Sequence, residues 1–370
     1  MDGRPLQGGS APRGIGTYVA GLLDGLASLG MTSRLSLLLS RDALPSYLAT
    51  SGAGVGPRLP CLNRRIQPLA DSLLVAGALR RHRPRLYHAT EYGQPAAASI
   101  PVVVTVHDLI PFVLPGYPWK SRERLRLAVH QLRRADRLIV PSRSTRDDCV
   151  RVAHCDLQRI RVVAHGVAPH FHPAGAAEIE ATRLRLGLER PYLLAAGTFE
   201  PHKRPGLLSE VVARVRAEHD IDIVITGDQG IFQRRLEDAL DRPELQGHVR
   251  ILGHVSRSDL VALMSGAAAV VVTSAYEGFG LPVLEAMACG APVAAFANSS
   301  IPEVGGEAAL IAPDGDAAAL ASLLSALLAD PHVCRDRAAL GIERAAPFTW
   351  ACAATETVAV YRELIGDLRP

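Results

Sequence analysis

Lysine is nearly missing from this chain of 370 residues: among 40 basic side chains, only Lys120 and Lys203 are lysine. Arginine is the default cation, so each lysine calls for a local reason. The six cysteines (Cys61, Cys149, Cys155, Cys289, Cys334 and Cys352) make no Cys-x-x-Cys pair and have no ligand-like spacing with histidine. That argues against a disulfide framework or a zinc module and fits a reducing, cytoplasmic setting. No apolar run attains the roughly 20 residues of a membrane helix, and the first residues carry no secretory pattern. A Gly-x-Gly-x-x-Gly behind a first strand is also lacking; the glycines at Gly8–Gly16 do not fit it, which sets aside a nicotinamide dehydrogenase. The Asp-x-Asp at Asp220-Ile221-Asp222 precedes an apolar run instead of following one. It reads as a turn at a helix end, and neither a metal nor another cofactor is expected.

With 48% hydrophobic residues the chain can bury a large core, and two domains are the natural division. The small net charge of +3 hides a split. Residues 1–170 carry 23 Lys+Arg against 11 Asp+Glu, and the remainder carries 17 against 26. The basic half suits an anionic acceptor or membrane surface. No nucleic-acid partner is expected.

Apolar strand runs alternate with helical patterns through both halves, which predicts two doubly wound α/β domains. The most informative stretch runs from Tyr276 to Val293, between buried-strand runs at Ala267–Thr273 and Pro292–Phe296. Gly278 and Gly280 leave the backbone open to a ligand, and Pro282 suits a first helical position. The N–H groups from Gly278 through Phe279 and Gly280 to Leu281 would attract a phosphate. Glu285 falls in the first turns of that helix and can accept from ribose hydroxyls, while Glu277 on the loop can reach a sugar. The complete string resembles the Glu-x7-Glu signature of family 4 of the retaining glycosyltransferases, which have the GT-B fold.

Further segments carry the same likeness. Arg13-Gly14-Ile15-Gly16-Thr17-Tyr18 is similar to the family's first loop, so Gly14 and Gly16 are expected to face the donor diphosphate and acceptor. Thr105-Val106-His107-Asp108-Leu109-Ile110-Pro111 ends a buried parallel strand, where α/β proteins place ligands. The likeness implies that His107 lies beside the transferred sugar, with Asp108 orienting it or the acceptor. His165-Gly166-Val167-Ala168 stands where the family usually has an Asn-Gly-Val-Asp turn between domains. In Gly197-Thr198-Phe199-Glu200-Pro201-His202-Lys203-Arg204-Pro205, Lys203 takes the place of the family's phosphate-holding lysine. His202 replaces the usual arginine, and Arg204 is a second candidate for the phosphates. Gly253-His254-Val255 resembles the turn that meets the nucleobase, which brings in Val255.

The resemblance implies two Rossmann-like domains facing across a cleft. The first is expected over 1–168 with a returning helix at 352–370, the linker over 169–190 and the donor domain over 191–351. Ser51–Pro60 reads as a Gly/Pro-rich connection. The implied reaction is transfer of a hexosyl group from a nucleoside diphosphate sugar to an acceptor hydroxyl, retaining configuration without a metal. His107 and Glu277 are the catalytic candidates. Overall wording is most similar to mannosyltransferases of polysaccharide assembly, which puts GDP-mannose ahead of a UDP-hexose. The acceptor is a saccharide, a lipid-linked saccharide or a natural product. The arginine-rich helix Trp119–Arg134 reads as a solvated face or as peripheral contact with the inner face of a membrane. A non-catalytic sugar-nucleotide-binding subunit and a UDP-sugar epimerase are the rival readings.

Overall fold

A computed structural model describes residues 1–7, 14–41, 53–60, 67–92, 98–115, 119–198, 200–227 and 230–367. The chain divides into two compact units, Met1–Gly166 with Phe348–Pro370, and Val167–Pro347.

The second unit is built on six parallel strands: β7 (Tyr192–Ala196), β8 (Asp222–Thr226), β9 (Val249–Gly253), β10 (Ala269–Val272), β11 (Val293–Ala297) and β12 (Leu310–Pro313). Their spatial order is β12-β11-β10-β7-β8-β9. The inner strands β7, β8 and β10 are almost wholly buried, which is why they read as unbroken apolar runs instead of alternating ones. Chain order reverses between β7 and β10. Such a reversal opens a crevice at the strands' carboxyl ends.

In the first unit, β3 (Tyr87–Ala89), β4 (Val102–Thr105), β5 (Arg137–Val140) and β6 (Ile160–Val162) form one parallel sheet, and β1 (Ser36–Ser40) pairs with β2 (Gly54–Leu59). Residues 1–3 join the two sheets. Asp2 N–H donates to His88 O at 2.8 Å, Gly3 N–H to Leu38 O at 2.9 Å, and Leu38 N–H to Met1 O at 2.9 Å. These first residues contribute one isolated β-bridge, Asp2 with Leu38.

The helix Gly14–Ser28 packs on the helix Trp350–Ile365 through two glycines. A Cβ on Gly21 would stand 2.1 Å from the Trp350 ring, and one on Gly25 would stand 2.1 Å from the Trp350 carbonyl oxygen. The returning helix starts at Trp350, capped by Thr349, two residues before the expected 352.

Three expectations change. The connection at Ser51–Pro60 contains β2, an edge strand with Pro57 beside a register shift, where proline is tolerated. Residues 169–190, read as a linker, belong to the second unit and hold the helix Ala176–Leu186. That helix buries only Thr182, so it has no apolar stripe to betray it. Gly14 and Gly16 lie in the first turns of a helix, not in the loop ahead of it; the rest of that loop, 8–13, is outside the described residues.

Among the described residues no single helix is long and apolar enough to cross a membrane. The side chains of Trp119, Lys120, Arg122 and Arg124 lie outside the described residues, so the basic helix is described only in its backbone there.

Candidate active site

In the second unit, the loops leaving β7, β10 and β11 converge at the point where chain order reverses. Lys203 closes the short turn Pro201–Lys203 after β7. Its Nζ meets Glu277 Oε1, on the loop after β10, at 2.5 Å. Ser274 Oγ donates to the same carboxylate oxygen at 2.6 Å. Backbone bonds hold the loops together: Thr273 Oγ1 donates to Lys203 O at 2.7 Å, and Ala275 N–H to His202 O at 2.6 Å. The loop after β11 adds two serines. Ser299 Oγ accepts from Glu277 N–H at 2.8 Å, and Ser300 Oγ donates to Glu277 O at 2.8 Å.

Burial alone would push the Glu277 carboxyl up, yet Lys203 and Ser274 outweigh it and hold the group below the usual carboxylate range. Glu277 is therefore ionised at neutral pH. His202 goes the other way: burial, then the neighbouring Lys203, lowers its pKa to about 4. Its Nδ1 stands 3.8 Å from Glu200, so that pair is uncharged on the histidine side near neutrality.

The helix Leu281–Ala288 begins directly after this cluster. Gly280 caps it with φ of 96°, a conformation that side-chain-bearing residues rarely adopt. Leu281 is the first helical residue, so Pro282 takes the second position, not the first. Pro282 has no N–H and Val283 N–H is taken by Gly280 O, which leaves Gly280 and Leu281 to offer donors at this helix start. Gly278 and Leu281 are half-buried, whereas Phe279 is a core side chain.

Glu285 sits one turn further on, half-buried, and burial pushes its carboxyl up to about 8. Among the described residues it has no cation or hydrogen-bond partner. The folded chain then holds this proton between about pH 4.5 and 8 while the unfolded chain has released it, so stability falls as pH rises through that window. In Glu285→Gln this fall is expected to flatten in a pH series of melting temperatures. An unchanged slope would remove Glu285 as its source.

Arg204, the second phosphate candidate, pairs with an aspartate. It adopts φ of 50° and makes two bonds to Asp314, at 2.5 and 3.1 Å. Asn298 Nδ2 ties the same carboxylate at 2.7 Å and Ser274 O at 2.7 Å. Arg204 thereby braces the loops after β7 and β12. A second Asp-x-Asp, Asp314-Gly315-Asp316, thus serves structure: Asp316 caps the helix Ala317–Ala329. Asp222 of the first Asp-x-Asp opens β8, not a helix-end turn, and pairs with His248 at 2.8 Å and Arg190 at 3.5 Å. Val255 is half-buried just past Gly253, whose carbonyl accepts from Gly227 N–H at 2.7 Å. Gly227 has φ of 123°, and a Cβ there would meet Gly197 O at 2.4 Å, so these loops need glycine to pass each other.

In the first unit, His107 follows β4, half-buried. Its Nε2 lies 2.9 Å from Thr90 O, and the Tyr18 ring makes a T-shaped contact with it at 4.8 Å. Burial lowers its pKa to about 4, so the ring is neutral near pH 7. Asp108, expected to orient His107 or the acceptor, stands just ahead of the short helix Ile110–Val113: its Oδ1 accepts from Ile110 N–H at 3.0 Å, and its carbonyl from the Tyr92 hydroxyl. His165 is a core ring stacked on Trp350 at 5.8 Å and beside Tyr18 at 4.9 Å.

Sequence reasoning missed Ser274, Asn298, Ser299 and Ser300. The available signal was positional: each lies at the carboxyl end of a central strand.

Residues 178–344 match the model of the family described as Glycosyl transferases group 1, and residues 12–171 match Glycosyltransferase Family 4. An O-antigen chain mannosyltransferase B of Escherichia coli is 31% identical, over 95% of this chain and 96% of its own. An alpha-maltose-1-phosphate synthase of Mycobacterium tuberculosis is 29% identical, over 83% and 86%. Among solved structures, Anabaena HepE in complex with UDP and glucose superposes with a TM-score of 0.78 at 21% identity, over 95% of this chain and 97% of that one. Sucrose-phosphate synthase from Thermosynechococcus elongatus gives 0.79 at 23%, over 95% and 94%. Two Rossmann-like units, family matches in both halves and an end-to-end relative lead to one conclusion: the chain belongs to glycosyltransferase family 4, the group 1 glycosyl transferases of GT-B fold, and is a hexosyltransferase.

Proposed function

We propose that this glycosyltransferase moves a mannosyl group from GDP-mannose to an acceptor hydroxyl, with retention of configuration and without a metal. The observation that carries the reading is the meeting of Lys203, Glu277 and the Gly280-led helix start at one strand reversal. A nucleoside diphosphate gains negative charge as its bond to the sugar breaks. A compact ammonium and preorganised N–H groups stabilise that charge where it develops. Glu277, ionised and pinned, suits the positive charge growing on the sugar ring, and His107 contacts the sugar. The acceptor attacks from the face the diphosphate leaves, and the departing phosphate takes its proton. Glu285, protonated near neutrality, can both give and accept hydrogen bonds with vicinal ribose hydroxyls.

Mannose is favoured over a UDP-hexose by the likeness to an O-antigen mannosyltransferase. The basic first half favours a lipid-linked saccharide carrying phosphate, with peripheral contact at an anionic membrane face, over an uncharged saccharide or natural product.

Thermal-shift measurements with GDP, UDP and ADP test the donor. At one hundred times its dissociation constant, a ligand adds about 2.7 kcal/mol, a rise of several degrees in melting temperature, and GDP is expected to give the largest. Turnover of GDP-mannose should survive excess chelator and yield the α-linked product. Inversion of configuration, loss of activity with chelator, or no response to any nucleoside diphosphate would each defeat the proposal.

A further inference from the structure

We infer that His107 meets its substrate as a hydrogen-bond acceptor through Nδ1, with the Thr90 carbonyl and the Tyr18 ring as the positioning groups that hold this tautomer. The inference rests on the reading of His107 as a residue that contacts the sugar.

A carbonyl oxygen has no proton to give, so at 2.9 Å from Thr90 O the Nε2 atom must be the donor. The ring is neutral near pH 7, with a pKa lowered to about 4 by burial, and a neutral imidazole has only one N–H. Nδ1 therefore keeps its lone pair, and among the described residues nothing donates to it. Among the described residues, the aromatic rings packed against this imidazole, those of Tyr18 and His165, are uncharged near neutrality. The Tyr18 ring makes a T-shaped contact at 4.8 Å and 76°, and His165 lies at 5.6 Å with its pKa held well below the usual value by burial.

Both positioning groups are themselves fixed. The Tyr18 hydroxyl lies 2.9 Å from Thr105 Oγ1. The same oxygen is 2.7 Å from His88 Nε2, and His88 Nδ1 is 2.6 Å from the Tyr361 hydroxyl. Thr90 Oγ1 donates to Asp2 O at 3.0 Å. This buried chain ties the first helix, two strands and the last helix to one imidazole orientation. A lone pair presented in this way selects a substrate group that can donate, such as a sugar hydroxyl, and disfavours a carboxylate at that place.

Three substitutions separate the two ring nitrogens. His107→Asn puts an amide oxygen near the Nδ1 position, whereas His107→Gln puts its amide near Nε2 and leaves no acceptor at Nδ1. His107→Ala is expected to lower kcat about tenfold, the weight of one buried hydrogen bond. Asn should recover most of that loss and Gln little, with nucleoside diphosphate affinity unchanged throughout. In ¹⁵N NMR of the wild-type protein, His107 should show the neutral Nε2–H tautomer from pH 5 to 8. Tyr18→Leu should mix the tautomers and lower kcat. Wild-type turnover in His107→Ala overturns the reading beneath the inference. Lowered turnover in Ala with Gln as active as Asn, or an Nδ1–H signal in the wild type, overturns the inference alone.

Discussion

Lys203→Ala is expected to weaken nucleoside diphosphate binding by roughly 12- to 150-fold, the ~1.5–3 kcal/mol typical of a hydrogen bond to a charged group. The substitution has a second consequence. Glu277 is largely buried, and its ionisation depends on the ammonium 2.5 Å away. Without Lys203 the carboxylate keeps Ser274 but loses its counter-charge, so the apo protein should also lose stability. The two effects separate in a double variant. Lys203→Ala with Glu277→Gln removes the stranded charge, so stability should return while affinity does not. Lys203→Arg should restore little, because a planar guanidinium cannot reproduce the short contact of a compact ammonium in this turn. Isothermal titration with GDP and UDP, paired with thermal denaturation, reads both quantities. Wild-type affinity for every nucleoside diphosphate in Lys203→Ala would remove the lysine from the donor site.

The second large effect is one of packing. Gly25→Ala should destabilise the protein by about 1–3 kcal/mol, although alanine favours helices over glycine by up to about 1 kcal/mol. The added methyl would lie 2.1 Å from the Trp350 carbonyl oxygen and 2.9 Å from Ala354 Cβ. One obstacle is backbone at a helix start, so the helices Gly14–Ser28 and Trp350–Ile365 must separate. Gly77→Ala is the control. It lies in the helix Gln67–His82 with nothing within 4 Å of a new Cβ. There the same change should stabilise by about 0.5–1 kcal/mol. Thermal melts of the two variants should move in opposite directions. A Gly25→Ala protein as stable as the wild type would show that the helix contact is loose.

Strand runs such as Tyr192–Ala196 and Ala269–Val272 are legible because a strand buried on both faces must be apolar throughout. The helix Ala176–Leu186 is not, since it buries one threonine and leaves no stripe. β2 hides behind Gly54, Gly56 and Pro57, residues that read as a turn but are accepted at a sheet edge. Within the candidate site, Lys203 stands out because the chain otherwise uses arginine, and Glu277 and Glu285 because of the glycine-framed string around them. The serines that hold Glu277 carry no comparable mark. Ser274, Ser299 and Ser300 are common residues in unremarkable places until three strand ends come together.

By itself, the sequence determined the alternation of strands and helices, the glycine-led helix start and the choice of lysine at 203, because each follows from local chemistry or from burial along one segment. Which partner each charge finds was decided by the tertiary structure. Arg204 turns to Asp314, Asp108 to the backbone of Ile110, and Lys203 to Glu277, 74 positions away. Such pairings depend on which strand ends are neighbours in space, and strand order is a property of the folded sheet that no single segment encodes.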